Sequence, residues 1–295
     1  MTNKLRPLLA TDVKNLKDLK LPMLASVKLD GIYALIVDGV IYSRSFKPIK
    51  NKHVQKLFGN RDLNGLVGEL VCGDVYAEDV FRQTTTATMA EDGVNDVKLY
   101  VFDDWSVGDK PYQERYQHYQ RRIKALNHGS IVALEHNMLH TVDEVITALD
   151  KEQKRNGEGI ILRLPSAKWK NGRSTPKSQE SVKLKFFEQQ EYKIVDVVER
   201  MHNANEAKVN EMGYTERSSH KDNMIPMNTF GAFVMELQDG RNFNVGSGLG
   251  LTDAVRKEIW NNRDKYIGKI ATVRQMKVGS KNGIPRLPTF VGLRD

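Results

Sequence analysis

The stretch SVKLDGIYALIVDGVIYSRS, residues 26–45, decides the fold of the first part of this chain. It consists of two runs rich in β-branched and apolar residues on either side of Asp38-Gly39. An Asp-Gly pair tolerates the positive φ angles of a two-residue turn, so the pattern predicts a β-hairpin. The tetrapeptide KLDG begins at Lys28, directly before the first run. The sequence therefore places a lysine and an acid at the entrance to a sheet.

Similar short apolar runs predict further strands at 66–72, 97–102, 159–164 and 181–186. Apolar side chains recur every three to four residues within 112–127 and 141–155. This spacing predicts two amphipathic helices that pack on a sheet. Strands and helices mixed in this order indicate an α+β fold for the first part of the chain.

From about residue 189 the pattern changes to strands with little helix. Strands are predicted within EYKIVDVVER (191–200), GAFVMELQDGRNFNVGSG (231–248) and KIATVRQMKVG (269–279), and one helix at 252–266. Five or so strands with one inserted helix fit a small barrel of the oligonucleotide-binding (OB) type, although periodicity alone leaves another small β fold open. The segment 201–228 is too polar to build a core, which predicts a loop.

Length and composition limit the class of protein. A chain of 295 residues exceeds the usual size of a single core, so two domains are expected. Hydrophobic residues at 40% and charged residues at 28% exclude a fibrous or wholly disordered chain. No apolar run is long enough to cross a bilayer and no signal-peptide core is present, so we expect a cytoplasmic protein without a membrane partner. The single cysteine, Cys72, excludes an intrachain disulfide and a Cys-rich zinc site.

The net charge of +8 favours an anionic partner, and its distribution says more than its size. Residues 241–294 contain 11 Lys and Arg against three acidic residues. The last fifth of the chain thus carries a basic excess equal to that of the whole chain. We therefore expect this part to contact phosphate groups.

Lys28 is the first candidate for chemistry, because an unprotonated lysine amine can attack phosphorus. KLDG alone is weak support, since an exposed lysine before a turn gives the same pattern. Lys183 and Lys185 alternate along one predicted strand, so their side chains share a face. Such a pair either supplies cations beside Lys28 or belongs to a solvated strand edge.

Glu69 and Glu158 lie in or beside apolar strands, where a carboxylate is costly unless it binds something. Together with Lys28 they are candidates to hold a divalent cation and a ribose. Phe102 is either a core aromatic or a ring that stacks on a purine. Neither G-x-x-x-x-G-K-[ST] nor G-x-G-x-x-G occurs, so a nucleotide is not expected to be held by a phosphate loop.

In this order the segments resemble the covalent nucleotidyltransferase superfamily, whose members use the lysine of a K-x-D-G motif to form a lysine-nucleotide phosphoramide. The resemblance is fullest to ATP-dependent DNA ligases of the minimal two-domain type and extends over nearly the entire chain. It is carried by PLLA (7–10), KLDGI (28–32), SRSFKPIKN (43–51), GRSTPK (172–177), ERSSHK (216–221), YIGK (266–269) and PRLPTFVGLR (285–294).

The resemblance implies an α+β nucleotidyltransferase domain of the ATP-grasp-like ligase type over 1–188, followed by an OB-fold β-barrel domain over 189–295. The segment 201–229 matches the family's latch, a β-hairpin that closes around nicked duplex DNA. The implied enzyme seals 3′-OH/5′-phosphate nicks through lysyl-AMP and adenylated DNA. ATP would be its cosubstrate and Mg²⁺ or Mn²⁺ its cofactor. Because no zinc site or accessory domain is predicted, a monomer is expected. The sequence leaves the source organism open, and a virus or phage enzyme that acts in the host cell is one of the alternatives.

Residue roles follow from the same resemblance. Lys28 would be the adenylated nucleophile, with Lys183 and Lys185 as catalytic partners. The implied ATP-binding set is Lys28, Asp30, Arg44, Glu69, Phe102, Glu158, Lys183, Lys185, Arg286 and Arg294, with Glu69 and Glu158 also binding the metal. The implied DNA-binding set is Arg44, Lys47, Arg173, Arg217 and Lys221.

Two positions depart from the family pattern. Tyr33 stands where the superfamily's first motif usually continues to arginine, and Val67 where an aspartate often precedes the third motif's acid. A phenol in place of a guanidinium removes a bidentate donor near the ribose or the 3′ end. Three alternatives to a DNA ligase stay open at this point: an RNA-capping guanylyltransferase, an RNA ligase and a non-catalytic nucleic-acid-binding protein.

Overall fold

The computed structural model describes residues 5–281 and 283–294. It divides into two units, of which the first ends at Phe186 and the second begins at Phe187. Within the described residues, no helix is both long enough and apolar enough to cross a membrane.

The elements of the first unit include the predicted hairpin. In chain order they are β1 (Leu8–Leu9), β2 (Met23–Val27), β3 (Ile32–Val37), β4 (Val40–Ser43), α1 (Lys52–Phe58), β5 (Leu66–Cys72), α2 (Val80–Met89), β6 (Val97–Asp104), α3 (Tyr112–Leu126), β7 (Ile131–Ala133), β8 (Asn137–Leu139), α4 (Val142–Lys154), β9 (Gly159–Arg163), β10 (Gly172–Arg173) and β11 (Ser181–Lys185). Strands β3 and β4 pair across Asp38 and Gly39, whose φ angles are 51° and 80°. The hairpin, the four further strands and the two amphipathic helices are confirmed, whereas α1 and α2 were not predicted.

Two larger sheets, beside the short parallel pair of β1 and β10, form the first unit, and each of the two larger sheets buries one face under helices. One sheet has the strand order β4-β3-β5-β6-β7, and the other has the order β11-β9-β2-β8. Side chains of the first sheet pack with Phe58 of α1, Ala87 of α2 and Tyr119 of α3. Alternate residues of the second sheet pack with Val145 of α4. The opposite faces of both sheets remain available to line a cavity.

The second unit is built mainly from strands, as the sequence predicts. Its elements are β12 (Phe187–Asn203), β13 (Ala207–Val209), β14 (Thr215–Arg217), β15 (Met224–Glu236), β16 (Asn242–Val245), α5 (Asp253–Asn261), β17 (Ile270–Lys281) and β18 (Ile284–Leu293). The main sheet has the order β16-β15-β12-β17-β18. A single bridge between Gly248 and Phe290 joins the segment after β16 to β18, so the two edges of the sheet meet. Phe230, Phe233 and Val273 fill the core against Ile259 of α5.

The polar segment 201–228 is a hairpin rather than an irregular loop. The ends of β12 and β15 pair as far as Asn203 and Met224, and β13 pairs with β14 beyond them. Its order comes from side-chain amides, since the Asn205 Nδ2 donates to the carbonyls of Ser218 and His220 at 3.0 and 2.8 Å. The loop prediction was wrong because it counted apolar residues and neglected hydrogen bonds from buried asparagine.

Candidate active site

A cavity in the first unit has a floor made of every second residue of three paired strands. β2, β9 and β11 contribute Ser26, Ile161 and Lys183 to this floor, and the backbone register places these residues opposite one another. The intervening residues Ile160, Leu162, Val182 and Leu184 face α4. Strand alternation thus separates a cavity face from a core face.

Lys28 follows β2 directly, and its amine is held by a buried carboxylate. The Lys28 Nζ lies 2.5 Å from Glu158 Oε2, and the Lys185 Nζ lies 2.6 Å from Glu158 Oε1. The side chain of Glu158 is 2% exposed, whereas those of Lys28 and Lys185 are 19% and 16% exposed. One carboxylate therefore fixes two lysine amines at the edge of the cavity.

Glycine permits the close approach of strands beside these lysines. A Cβ on Gly159 would lie 1.9 Å from the carbonyl oxygen of Leu184, and the φ angle of Gly159 is 145°. A Cβ on Gly31, in the KLDG tetrapeptide, would lie 2.1 Å from the carbonyl oxygen of Leu70. Any larger residue at either position would push apart the backbones that hold Glu158 and Lys28.

The other sheet supplies Tyr33, Glu69 and Phe102 to the cavity. Tyr33 and Glu69 are direct partners in the β3–β5 ladder. The β5–β6 ladder shifts register between Val67 and Gly68, which leaves Phe102 as the extra residue of a β-bulge. Bulges commonly re-aim a side chain next to a functional site, and here the bulge lies where Phe102 joins the cavity wall.

The two carboxylates differ in their electrostatic surroundings. Burial raises the pKa of Glu69 to about 8, helped by the charges of Glu158 and Asp30 and opposed by Lys28 and the Gly31 backbone. Burial also acts to raise the pKa of Glu158, but the charges of Lys28 and Lys185 outweigh it and hold that pKa below its usual value. Near neutral pH, Glu69 is therefore largely protonated in the absence of a cation, whereas Glu158 is ionised.

Arginine and lysine side chains surround the rest of the cavity. Arg44, after β4, and Arg173, on β10, line it and are exposed, and Arg173 Nη1 donates to the Ala10 carbonyl at 2.7 Å. Lys183 lines it as well, with its Nζ 3.2 Å from Asp12 Oδ2. Burial and the charges of Lys28 and Lys183, opposed by Glu158, lower the pKa of Lys185. The cavity thus presents several cations to an anionic ligand.

A buried ionic network lies next to Phe102. Asp103 accepts from the guanidinium groups of Arg115, at 2.8 and 3.2 Å, and Arg163, at 3.0 Å. The Arg163 guanidinium lies 5.0 Å from the centre of the Phe102 ring. The Tyr112 hydroxyl donates to the Phe102 carbonyl at 2.8 Å, so the backbone and the surroundings of Phe102 are both held.

The sequence-predicted residues do not all belong to this cavity. Lys28, Arg44, Glu69, Phe102, Lys183 and Lys185 line it, Glu158 contacts Lys28, and the charge of Asp30 acts on Glu69. Lys47 lies in the turn after β4, where its carbonyl accepts from the Ser43 backbone at 2.8 Å. The other four predicted residues lie in the second unit. Arg217 donates to the Asn205 carbonyl, and Lys221 is exposed. Arg286 lies on β18 opposite Met276, and Arg294 pairs with Glu191.

Family models match both parts of the chain. The model described as ATP dependent DNA ligase domain matches residues 7–185, and the model described as DNA ligase OB-like domain matches residues 226–294. The first match covers more than half of the chain. The chain belongs to the ATP-dependent DNA ligases. The first match contains the whole cavity, and the second supports the OB fold of the strands in the second unit.

Solved ligase structures resemble this ligase over its full length. The crystal structure of Chlorella virus DNA ligase-adenylate is 27% identical, with a TM-score of 0.56, and the match covers 99% of this ligase and 98% of that chain. A structure from an analysis of Lig E DNA ligases is 21% identical, with a TM-score of 0.71 and coverage of 100% of both chains. The Lig E likeness supports the fold alone. No curated protein sequence matches this ligase at a significant level.

Sequence reasoning missed several residues that shape the ligase cavity. Ser26 and Arg163 line it, and so does the PLLA segment through Leu8, Leu9 and Ala10. Strand alternation could have indicated two of these, because residues two apart on a strand share a face. Ser26 lies two residues before Lys28, and Arg163 lies two residues after Ile161 on the paired strand β9. The partners of Arg163 had no such signal, because Asp103 lies 60 residues away in the sequence.

Proposed function

We propose that Lys28 is the residue to which this ligase transfers AMP from ATP. The observation that carries the proposal is the position of its amine, which lies in a cavity with Lys183, Lys185, Arg44 and Phe102 and is oriented by Glu158. Bond formation between the Lys28 Nζ and the α-phosphorus would break the bond to pyrophosphate. AMP would then pass to the 5′-phosphate of a nick, and the 3′-hydroxyl would displace AMP and seal the strand.

The cations of the cavity would stabilise this chemistry electrostatically. Each step gathers negative charge on phosphorus and on its leaving group, and fixed positive groups aimed at that charge usually dominate catalysis of this kind. Lys183 and Lys185 share the cavity face of β11, and Arg44 lies at its wall. We assign Lys183 and Lys185 to phosphate stabilisation and Arg44 first to the nucleotide and then to the nick phosphate.

The carboxylates suit a divalent cation that shares its coordination with substrate. No group of three or more His, Cys, Asp or Glu residues with metal-binding geometry occurs within 5–281 and 283–294. Mg²⁺ at phosphate-transfer sites typically takes one or two carboxylates and completes its shell with phosphate oxygens and water. Glu69 and Glu158 fit that requirement, and Mn²⁺ would accept the same ligands. Such an ion would neutralise phosphate charge.

The nucleoside part of ATP would bind beside Phe102 and Asp30. We infer that the Phe102 ring stacks on adenine and that Asp30 lies on the ribose side, next to Glu69. The bulge at Phe102 and the hydrogen bond to its carbonyl support a fixed ring position. Preorganised aromatic surfaces lose little entropy when a base stacks on them.

Replacement of Phe102 by leucine should weaken adenylation by about 5- to 100-fold in kcat/KM, the range expected for loss of one base–aromatic stack. Sealing of pre-adenylated nicked DNA should fall less, because AMP is then already attached. Single-turnover assays of the two steps measure the difference. Phe58→Leu is the matched control, since Phe58 is fully buried in the α1 core. Equal losses in both steps would contradict the stacking role.

We assign residues 1–188 to adenylation and 189–295 to an OB domain that binds nicked duplex DNA. In the OB domain, Arg286 and Arg294 would orient pyrophosphate during adenylation, and the hairpin 201–229 would act as a latch on DNA. Lys47, Arg173, Arg217 and Lys221 would contact the phosphate backbone, which positions a protein without reading sequence. The basic excess of residues 241–294 supports this assignment, and we propose that a monomer suffices.

Excision of residues 204–223 should weaken binding of a nicked duplex by about 10-fold or more, since phosphate contacts dominate such affinity. Asn203 and Met224 are direct partners, so an Asn-Gly turn can join them without a change of register. Adenylation of Lys28 should be unaffected. Binding titrations and ATP labelling of the same preparation measure the two effects. Unchanged affinity for the nick would refute the latch assignment.

The proposed function is tested by supplying α-labelled ATP or GTP with Mg²⁺, and then a nicked duplex or single-stranded RNA. We expect covalent labelling by ATP, transfer of AMP to the nick and sealing of the duplex. Preference for GTP would instead indicate a capping enzyme, and preference for single-stranded RNA an RNA ligase. Binding of DNA without any covalent label would reduce the protein to a non-catalytic binder.

A further inference from the structure

Within the described part of the chain, the Tyr33 hydroxyl and the Arg163 Nε are the buried side-chain polar atoms that have no hydrogen-bond partner. Both residues line the cavity that contains Lys28. Buried polar groups in native proteins are almost always paired, because an unpaired group forfeits the hydrogen bonds it makes with water. Two such atoms in one ligand cavity call for a common explanation.

The surroundings of both side chains hold them in place. Arg163 is fixed by its ion pair with Asp103, at 3.0 Å. The Tyr33 ring packs against the Phe102 ring, with 5.8 Å between centroids. Burial raises the pKa of Tyr33 far above its usual value, so its hydroxyl keeps its proton. Two residues of the cavity lining beside Phe102 therefore carry a donor group without a partner, a phenol O–H and a guanidinium N–H.

We propose that the Tyr33 hydroxyl and the Arg163 Nε together bind one hydrogen-bond acceptor on the nucleoside part of the nucleotide. An arginine Nε only donates, so its partner must be an acceptor. The nucleoside offers purine ring nitrogens and ribose hydroxyl oxygens as acceptors. Tyr33, on β3, stands where the superfamily that this chain resembles usually has arginine. In this chain β3 therefore supplies a phenol, and the guanidinium is that of Arg163 on β9 of the other sheet.

The inference rests on adenylation of Lys28 and is tested with Tyr33→Phe, which removes a single oxygen atom. We expect kcat/KM for adenylation by ATP to fall about 3- to 10-fold, the effect of one neutral hydrogen bond. The melting temperature without nucleotide should stay equal or rise, because the variant lacks an unpaired buried hydroxyl. Tyr100→Phe is the matched control, since Tyr100 lies in the same sheet opposite Glu69.

An analogue series identifies the nucleoside atom. The probes are 1-deaza-, 3-deaza- and 7-deaza-ATP, which each lack one ring nitrogen, and 2′-deoxy- and 3′-deoxy-ATP, which each lack one hydroxyl. One analogue should be used at least about 10-fold less well than ATP by the wild type, and this disadvantage should shrink by about 3- to 10-fold in Tyr33→Phe, in which the Arg163 hydrogen bond alone is still lost. That analogue marks the bound atom and tells base from ribose.

The remaining outcomes overturn the inference. Three results count against it: Tyr33→Phe matches the wild type with ATP, it loses equally with ATP and every analogue, or it melts at a lower temperature. Each of these results places the hydroxyl in a structural role or in none. Absence of any label on the wild-type protein is a different failure, because it removes the proposed adenylation itself.

Discussion

A Lys28→Ala ligase is expected to acquire no covalent AMP, a loss of at least about 10⁴-fold in adenylation, because removal of a nucleophile removes the reaction path. Alanine has no atom that can form the bond to phosphorus. The same variant should still seal a nick that already carries AMP on its 5′-phosphate, since that step uses the 3′-hydroxyl. Mass spectrometry of the ATP-treated chain and a sealing assay on pre-adenylated DNA measure the two results.

Lys151→Ala is the matched control for this variant, because Lys151 is an exposed lysine on α4. It should take up AMP like the wild type. Label on the Lys28→Ala chain would show that another residue accepts AMP, and the assignment of the nucleophile would be wrong. Loss of sealing on pre-adenylated DNA would point to a damaged cavity, which melting curves of the variant would detect.

Replacement of Glu158 by glutamine should slow adenylation by about 10²- to 10³-fold, the usual cost of removing one charged group that organises an active site. The Glu158 carboxylate holds the amines of Lys28 and Lys185 at 2.5 and 2.6 Å. Glutamine keeps the shape but removes the negative charge, so the two lysines lose their common partner and repel each other. Single-turnover labelling at several Mg²⁺ concentrations measures the loss of rate and any change in the Mg²⁺ concentration that gives half-maximal labelling.

Glu180→Gln is the matched control for Glu158. Glu180 also faces a lysine, with 3.4 Å between its Oε1 and the Lys170 Nζ, and it accepts hydrogen bonds from Ser174 and Ser178. These contacts lie outside the set of residues that line the cavity. Adenylation that is equally slow in both variants, or unchanged in Glu158→Gln, would exclude the proposed role of Glu158.

The regular part of the fold could be predicted from local patterns, and two short helices could not. Helix α1 has seven residues, too few for a periodic signal, and its start is fixed by the Asn51 side chain, which accepts from the Val54 backbone. Helix α2 contains four threonines, which favour strands when taken alone. Tertiary contacts stabilise it instead, including the Thr84 hydroxyl, which accepts from the Cys72 backbone at 2.9 Å.

The candidate site was predictable where a motif spans adjacent residues and not where distant segments meet. Lys28, Lys183 and Lys185 stand in short, recognisable segments, and the structure brings them to one cavity. Arg173 was predicted from its segment to contact DNA, but nothing local places it in the lining of the same cavity. The contacts of Arg163 with Asp103 and Phe102 depend on the pairing of separate strands and on a bulge, which no short window of sequence contains.

The alternating floor of the cavity limits how this ligase can change during evolution or redesign. Insertion or deletion of one residue within β2, β9 or β11 would turn the floor residues beyond it toward α4. Apolar side chains that now face α4 would then line the cavity. A new nucleotide preference is therefore accessible through point replacements at floor positions or through altered connections between strands. Active variants of this ligase should therefore keep the length of these three strands.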